Sequence, residues 1–477
     1  MLAFPTGWPY KDDGSFVLSI SNIAQLTKRV RRSAGPSIMN GGFFVFDLKA
    51  NGTTLKTEVV AGATTFFTMA YVTVVNPLIL SQAGVPFEQS FTATIIAAVI
   101  GTLLMGLVAR YPIAVAPGMG LNAYFTYSVV QGHAGLGYIE AFSAVFIAGI
   151  LFLILSMTSL RRRLIEMIPA NLKHAITVGI GLFIAFIGLR MSGIITAHPD
   201  NLVALGDLHQ PSVVLALVGL AVTLVLLSRD VKGALFIGMI ITGIIAYFAD
   251  MLSFTSGIMS VPTLPEGILV WNPITAASDV IRHGLYAVVF SFLLVTLFDT
   301  TGTVVGVAEQ AGLMKDNKLP RAERAMFSDS VATVAGSMVG TSPTTAYVES
   351  AAGVGAGGRT GLTAVVVAAL FVVAAFFSPL IGAVAGLSAI TAPSLIVVGC
   401  LMLSNVQHIR WNDFDEAFPA FLVILTMPLT SSIATGIALG FISYPLMKIV
   451  KGKWKAVHPL MYIFAVLFVL QLVFVPH

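Results

Sequence analysis

Charged residues and cysteines are scarce in this chain, and each shortage excludes a class of protein. Only 10% of the 477 residues are charged, whereas 57% are hydrophobic. A soluble domain carries about 25% charged residues, so the composition indicates a polytopic membrane protein. The single cysteine, Cys400, lies in an apolar run and has no partner for an internal disulfide, so we expect a buried structural thiol. The net charge of +4 is too small to indicate a nucleic-acid partner.

A cleavable signal peptide is also lacking at the N-terminus. Residues 1–45 contain no sustained apolar core and carry a cluster of basic residues between positions 28 and 32. This pattern predicts a cytoplasmic tail. Met39 is an alternative start of the native chain, in which case residues 1–38 would be an artefact of gene calling.

Long apolar runs bounded by proline, glycine and charge make up the rest of the sequence. At about 20 residues per membrane span, they predict two sets of seven spans and a further hydrophobic stretch at 457–475, which is either an additional span or an interfacial helix. The first set covers 57–80, 91–109, 115–130, 138–158, 172–190, 211–228 and 234–252. The second set covers 283–306, 324–340, 342–355, 361–383, 391–405, 417–428 and 430–449.

Basic residues fall on one side of these spans when the N-terminus is placed in the cytoplasm. The positive-inside rule favours this orientation, and because seven is odd, the second set is inverted relative to the first. We therefore expect a multi-pass protein of the cell membrane with its N-terminus in the cytoplasm. The basic residues assigned to the cytoplasmic side are Arg110, Arg161, Arg162, Arg163, Arg229, Lys232, Lys315, Lys318, Arg321, Arg324, Arg359, Lys448, Lys451, Lys453 and Lys455.

Spans 3 and 10 are short, and each is interrupted by proline. Pro117 breaks span 3 and Pro343 breaks span 10. Corresponding interrupted segments in two halves are a sequence signature of a transporter binding site. The alternative is that proline and glycine are simply common in membrane helices. Two breaks at matching positions favour the binding site.

Two acidic residues lie deep within predicted spans, where a charge costs roughly 2.5–3.5 kcal/mol on insertion scales. Asp299, in span 8, is predicted to carry a proton; the alternative is a carboxylate that hydrogen-bonds nearby threonines and only fixes helices. Glu349 follows the break at Pro343. Its carboxylate can accept two N–H donors from the edge of a heterocycle, unless it forms an ion pair with Arg359 or Lys315.

Further polar and aromatic residues near the breaks are candidates for the same site. Asp329, in span 9, is open to three roles: substrate binding, support of a polar network, or a solvated helix end. Thr65, in span 1, is predicted to pack against the site. Substrate contact is predicted for five residues, with helix contacts, capping and plain packing as alternatives: Asn122, Tyr124, Thr344, Thr345 and Tyr347.

Sequence motifs for catalysis and metal binding are absent. The chain contains no Gly-x-Ser-x-Gly and no His-Glu-x-x-His, and its histidines lack metal-ligand spacing. We therefore expect a protein that is not an enzyme, with no metal and no cofactor other than a proton as coupling ion. A channel would need a continuous polar lining, and an anion exchanger would need a basic group at the site. Both stay as alternatives to a carrier whose site holds two acids.

Several stretches match one family in the same order along the chain. On these stretches the chain resembles the AzgA-like purine permeases of the second nucleobase–cation symporter family, and the likeness covers about residues 43–475. The stretches are Thr57-Glu58, Ala61-Gly62-Ala63-Thr64-Thr65-Phe66, Met69-Ala70-Tyr71, Val75-Asn76-Pro77, Ala116-Pro117-Gly118-Met119-Gly120-Leu121-Asn122-Ala123-Tyr124-Phe125, Phe298-Asp299-Thr300-Thr301-Gly302-Thr303, Tyr347-Val348-Glu349-Ser350 and Gly357-Gly358-Arg359-Thr360-Gly361-Leu362-Thr363.

The resemblance implies an all-α transporter fold of two inverted seven-span repeats, fourteen core spans in all, with spans 3 and 10 broken. Spans 1–4 and 8–11 would form a core domain, spans 5–7 and 12–14 a gate domain, and the substrate would lie between them. A homodimer through the gate domain is implied as well. The predicted parts are a tail at 1–45, core parts at 46–158 and 283–384, gate parts at 159–252 and 385–450, an extracytoplasmic linker at 253–282 and a C-terminal hydrophobic segment at 451–477.

By the same likeness, Asp299 and Glu349 match the two acidic positions of the substrate site. Asn122 and Ala123 match the contact region of span 3, and Asp329 matches an acid of span 9. These matches imply that the substrate is held where the two broken spans meet.

Two further residues are assigned supporting roles by the resemblance. Thr303 stands where other branches of the family often have histidine or another polar group, which leaves Asp299 as the expected coupling group. Ser350 completes the motif around Glu349. The combined expectation is proton-coupled import of adenine, guanine or hypoxanthine by alternating access, with the preferred base left open.

Overall fold

The computed structural model describes residues 46–132, 135–158, 168–199, 201–254, 257–262, 267–314 and 319–474. The predicted tail 1–45 lies outside these ranges. So do five of the basic residues used for the predicted orientation: Arg161, Arg162, Arg163, Lys315 and Lys318. The cytoplasmic position of the N-terminus therefore stays a prediction.

Helices occupy every predicted span of the first half, and we keep the span numbers for them. Span 1 is divided into Leu55–Met69 and Val72–Ser81, and span 3 begins as a strand, β1 (Val115–Pro117). The other helices are Phe87–Leu104, continued by a π-helical turn at Met105–Ala109, for span 2; Met119–Ala123, continued by Tyr124–Val130, for span 3; and Tyr138–Ser156, Ala170–Met191, Pro211–Ser228 and Ala234–Phe248 for spans 4–7.

The second half repeats this order. Its tenth span also begins as a strand, Thr344–Ala346, which is β4 in chain order. The helices are Tyr286–Gln310 and Ala322–Val339 for spans 8 and 9; Ser350–Gly355 for span 10; Gly361–Ala374, Ala375–Phe377 and Ser378–Ala385 for span 11; Ser388–Met402 with Leu403–His408 for span 12; and Phe414–Leu429 and Ile433–Val450 for spans 13 and 14.

Helix length and composition agree with a membrane location. Within the described ranges, nine helical stretches are long and apolar enough to cross a bilayer, and two shorter apolar helices accompany them. The remaining elements at predicted spans are too short or too polar to qualify alone. Two of these are the broken spans, whose polar backbone groups must be satisfied within the protein.

The helices pack in two groups. Span 5 packs mainly against spans 12 and 13, and span 6 against spans 7 and 12. Span 9 packs mainly against spans 4 and 2, and span 11 against spans 1 and 2. Elements far apart in the sequence are thus brought together in each group, and the two broken spans belong with the second group.

Two elements between the spans were not predicted. A hairpin of β2 (Ile195–His198) and β3 (Leu202–Leu205) follows span 5. An amphipathic helix, Pro273–Arg282, lies in the predicted linker 253–282 and packs against span 4, where Ser143 donates a hydrogen bond of 2.8 Å to Asp279. Both elements are too short and too polar to be found by a search for membrane spans.

The C-terminal hydrophobic segment forms a helix, Pro459–Phe474, that packs against span 14. The ring of Phe464 stacks on Phe290 of span 8 with centroids 4.4 Å apart.

Cys400 of span 12 corrects one sequence expectation: its side chain is exposed rather than buried. Hydropathy identifies the helix of span 12, but the rotation of that helix about its axis decides which apolar residues face outward.

Spans 2 and 11 cross at a pair of glycines with almost no room between the backbones. A Cβ on Gly361 would lie 1.9 Å from the carbonyl oxygen of Gly106. Because that neighbour is backbone, the two helices would have to separate to accommodate a side chain.

Replacing this glycine is therefore expected to destabilise the protein. Gly361→Ala should lower the free energy of unfolding by about 1–3 kcal/mol, the usual effect of overpacking, and thermal unfolding of the purified protein would measure this. Gly306→Ala is the matched control, because a Cβ on this helical glycine of span 8 meets nothing within 4 Å. Equal melting temperatures for the two variants would contradict the expectation.

Candidate functional site

The two broken spans meet at their interrupted ends. β1 pairs with β4 in antiparallel register, with Ala116 opposite Thr345. The N–H of Gly118 extends the pairing by donating to the carbonyl oxygen of Pro343 at 2.9 Å. This pairing satisfies backbone groups that the breaks leave outside any helix, so the unwound segments are stable inside the protein.

Tyr347 joins the two broken spans a second time. Its N–H donates to the carbonyl oxygen of Ala114 at 2.9 Å, and its hydroxyl donates to the carbonyl oxygen of Pro117. The side chain is buried. Tyr347 therefore bridges the two segments, and its predicted contact with a substrate stays a prediction.

Asp299 and Glu349, from spans 8 and 10, both lie near this junction. Asp299 lies within hydrogen-bonding reach of Thr345 and within electrostatic range of Glu349. Glu349 accepts a 2.7 Å hydrogen bond at Oε1 from the hydroxyl of Tyr71. Asp299 is exposed and Glu349 is half-buried, so both acids border open space.

The residue before Asp299 contacts a helix of the other group. Lys173 of span 5 lies over the ring of Phe298, with Nζ 5.4 Å from the ring centroid. Span 5 packs with the other helix group. Phe298 therefore lies at the boundary between the two groups, and Asp299 is the next residue along span 8.

The ion pair considered for Glu349 is not formed with Arg359. The guanidinium of Arg359 donates to the carbonyl oxygens of Val354 and Gly358 at 2.7 and 2.8 Å. Lys315, the other candidate partner, lies outside the described residues. The contact that the structure describes for the Glu349 side chain is the one to Tyr71.

Asp329 lies at the centre of a buried hydrogen-bond network. Its Oδ1 accepts from the hydroxyl of Thr344 at 2.6 Å, and its Oδ2 accepts from the hydroxyl of Thr300. Thr333 joins through a contact of 2.9 Å with Thr344. The carboxylate is fully buried, which differs from a solvated helix end, and it connects spans 8, 9 and 10. Thr344 takes part in this network rather than capping a helix.

Asn122 is also part of a buried network. Its amide donates to Oδ1 of Asn76 at 2.9 Å, and the amide of Asn76 donates to Thr94 at 2.7 Å and Thr341 at 2.9 Å. Within the part of the chain that the structure describes, the Oδ1 of Asn122 is buried and has no hydrogen-bond partner. Because an unpaired buried acceptor is costly, this oxygen is open to a donor that the protein does not supply.

The two residues after Asn122 are packed into the interior. Ala123 and Tyr124 are both buried, and the Tyr124 ring meets Phe292 edge to face with centroids 5.0 Å apart. Their contact with a substrate stays a prediction.

Three residues with predicted supporting roles occupy different surroundings. The Ser350 hydroxyl accepts from the N–H of Ala114 at 3.0 Å. Thr65 is buried against span 10, where a Cβ on Gly353 would lie 2.0 Å from its hydroxyl oxygen. Thr303 is half-buried, one turn beyond Asp299 on the same helix.

Three polar residues of the site region were not singled out from the sequence: Tyr71, Asn76 and Glu58. Each occurs in a stretch that carries the family resemblance. Glu58 is fully buried and accepts from the N–H of Arg359 at 3.0 Å and the hydroxyl of Thr363 at 2.6 Å. A buried acid in the first turn of an apolar helix is the signal that would have identified it.

The site thus combines two interrupted segments from different halves of the chain, acids beside open space and buried polar networks behind them. A profile described as a permease family (Xan_ur_permease) matches residues 56–439. The chain belongs to this family. It is therefore a multi-pass membrane permease and not an enzyme, and its predicted membership of the nucleobase–cation symporters is confirmed.

Characterised relatives align along most of this permease. The guanine/hypoxanthine permease PbuO of Bacillus subtilis is 62% identical over 429 residues, which cover 90% of this chain and 99% of PbuO. The adenine permease AdeP of Escherichia coli is 44% identical over 432 residues, which cover 90% of this chain and 96% of AdeP. With 90% of this chain aligned, both relatives match residues in each half of it.

A solved structure with the same fold is the transmembrane domain of a cyanobacterial bicarbonate transporter, BicA. It superposes with a TM-score of 0.58 at 17% identity, covering 80% of this permease and 97% of that domain. An identity this low shows the fold alone. The predicted fold class, a helical transporter of two inverted seven-span repeats with two broken segments, is confirmed.

Proposed function

We propose that this permease imports a purine nucleobase together with a proton across the cell membrane. The observation that carries the proposal is the meeting of Asp299 and Glu349 beside open space where the two broken spans join. The names of PbuO and AdeP support a purine substrate. They differ in the base, so guanine, hypoxanthine and adenine are all candidates.

Glu349 holds the edge of the purine in this proposal. A purine base is planar and carries neighbouring N–H groups, and a carboxylate offers two acceptor oxygens in one plane. Tyr71 orients Glu349 by donating to Oε1. The unpaired Oδ1 of Asn122 is a further acceptor at span 3. Thr345 contacts the purine from beside Asp299, and the buried residues Ala123, Tyr124 and Tyr347 shape the binding surface.

Asp299 takes up the coupling proton in this proposal. It is exposed and near a second acid, so proton binding removes the repulsion between two negative charges when the substrate enters. Asp329 differs because its carboxylate is buried and accepts from Thr300 and Thr344. Its proposed role is to support the geometry of spans 8–10, together with Thr65, Thr303 and Ser350.

Alternating access would follow from movement of the core domain, spans 1–4 and 8–11, against the gate domain, spans 5–7 and 12–14. The two-group helix packing supports this division. On the predicted extracytoplasmic side, the groups are joined by a hydrogen bond from Ser128 to the carbonyl oxygen of Ser431 and by a contact of 3.8 Å between Gln82 and Met191. These contacts would break when the outer side opens.

We further propose that the N-terminus is cytoplasmic and that two copies associate through their gate domains.

An anion exchanger is disfavoured by the charge at the junction. Three acids lie close together there, Asp299, Glu349 and Asp329, and an anion would be repelled by them. The shared fold with a bicarbonate transporter does not alter this, because the substrate is selected by the side chains at the site.

Uptake by whole cells tests proton coupling directly. Cells that express the permease should accumulate radiolabelled hypoxanthine up to about fiftyfold, because one proton crossing 100 mV releases roughly 2.3 kcal/mol. A protonophore should reduce the ratio to about one, and a panel of unlabelled bases should rank the substrates. Undiminished accumulation with the protonophore would exclude proton symport, whereas a loss of accumulation on replacing Na⁺ would identify sodium as the coupling ion.

A further inference from the structure

A cavity of about 110 Å³ opens on the predicted cytoplasmic side, away from Asp299 and Glu349. It is lined by Arg110, Arg321 and Arg359, together with Asp47 and Thr360. We propose that this cavity is a binding site for a phosphate group. Neither the proposed purine import nor its proton coupling uses these residues, so the site is independent of the proposed function.

The three arginines come from separate parts of the chain. Arg110 ends span 2, Arg321 precedes span 9, and Arg359 lies in the turn between spans 10 and 11. Arg110 and Arg321 both have φ of 59°, in the left-handed region that residues with a Cβ seldom adopt. Packing around the two turns must stabilise these conformations, and it thereby fixes the positions of the two Cβ atoms.

Among the described residues that line the cavity, positive charge exceeds negative charge. No ion pair of 4 Å or less joins the three arginines to an acid within the described ranges, and Asp47 is the one acid in the cavity lining. Glu58, a buried acid of span 1, does not line the cavity and already accepts from the N–H groups of Arg359 and Thr363. Three positive charges and one negative charge leave the cavity with an excess of two.

The guanidinium groups have donors to spare. Arg359 uses Nη1 for the carbonyl oxygens of Val354 and Gly358, which orients the group and leaves its other nitrogens available. Arg321 is exposed and lies over the ring of Tyr111, with Cζ 5.3 Å from the ring centroid. Arg110 is exposed.

This arrangement matches the chemistry of phosphate. A guanidinium presents a planar fork of N–H donors that binds phosphate oxygens in pairs, and arginine is favoured over lysine where this geometry matters. An excess of two positive charges suits a phosphate that carries between one and two negative charges. The phosphate can belong to a soluble metabolite or to the headgroup of an anionic lipid, because both present the same group at the cytoplasmic face.

Thermal unfolding of the purified full-length protein tests the site without any transport measurement. In one arm, inorganic phosphate is titrated in neutral detergent against chloride at equal ionic strength. In the other, the protein is reconstituted in phosphatidylcholine with or without phosphatidylglycerol. Arg110→Gln and Arg321→Gln remove one guanidinium each, and each should weaken apparent phosphate affinity by about tenfold or more, as expected for a lost hydrogen bond to a charged group.

Arg229→Gln is the matched control, since Arg229 is an exposed arginine of another predicted cytoplasmic loop and does not line the cavity. Arg110→Lys keeps the charge but loses the planar fork of N–H donors, so its apparent phosphate affinity should lie between those of the wild type and Arg110→Gln. This variant also tests the site if a glutamine variant is too unstable to study. A saturable shift with phosphate that is lost only in the cavity variants supports a soluble ligand. A shift with phosphatidylglycerol alone, lost in the same variants, supports a headgroup. Equal responses of the wild type, the cavity variants and Arg229→Gln in both arms would overturn the proposal.

Discussion

Glu349→Gln should lower purine binding and uptake by at least about hundredfold while the protein stays folded. In the proposed binding mode the carboxylate accepts N–H groups of the purine at both oxygens, whereas the glutamine amide would present an NH₂ group to the same donors. Two hydrogen bonds to a charged acceptor are each worth roughly 1.5–3 kcal/mol, and a total of about 3 kcal/mol corresponds to roughly a hundredfold change in affinity. Equilibrium binding of radiolabelled hypoxanthine to purified protein would measure the loss.

Two further variants separate the role of Glu349 from a general effect of lost charge. Glu309→Gln makes the same chemical change at an exposed position near the end of span 8 and should leave binding unchanged. Tyr71→Phe removes the hydroxyl that donates to Glu349 at 2.7 Å, so it should weaken binding by a smaller factor. Wild-type affinity in Glu349→Gln would show that the purine binds elsewhere.

Asp299→Asn should abolish accumulation and preserve exchange. The asparagine side chain cannot take up and release a proton in the transport cycle, so the membrane potential no longer drives uptake. The accumulation ratio should therefore fall from about fiftyfold to about one. Exchange of internal unlabelled purine for external labelled purine should persist, because it needs only the movement of the loaded site. Proteoliposomes with an imposed pH gradient would measure both activities.

The control for this variant is Asp230→Asn, which lies in an exposed loop between spans 6 and 7. Its φ of 52° is in the left-handed region that asparagine adopts readily, so the substitution should leave accumulation intact. If Asp299→Asn still accumulates purine against a gradient, the proton is carried by another group, and Glu349 becomes the first candidate. Loss of both accumulation and exchange would instead indicate that Asp299 is needed to bind the purine.

The sequence alone was sufficient to locate the membrane helices and the two breaks. Both are local properties: a bilayer requires about 20 apolar residues for each helix, and proline next to glycine or serine, as in Pro117-Gly118 and Ser342-Pro343, disfavours a continuous helix. Pro117 and Pro343 therefore mark the two breaks in the sequence. Asp299 and Glu349 can be recognised in the same way, because each is an acid within an apolar stretch. The family resemblance likewise depends on short contiguous motifs.

The tertiary structure decided which of these residues meet and what each one contacts. The pairing of β1 with β4 joins residues more than two hundred positions apart in the chain, and no local pattern specifies such a partner. The same holds for the contact from Tyr71 to Glu349, for the threonines around Asp329 and for the Asn76 network. Hydropathy also does not determine the rotation of a helix about its axis, so the outward position of Cys400 could not be predicted from the sequence. Partner choice and helix rotation depend on packing between distant segments, so they become known only when the chain is folded.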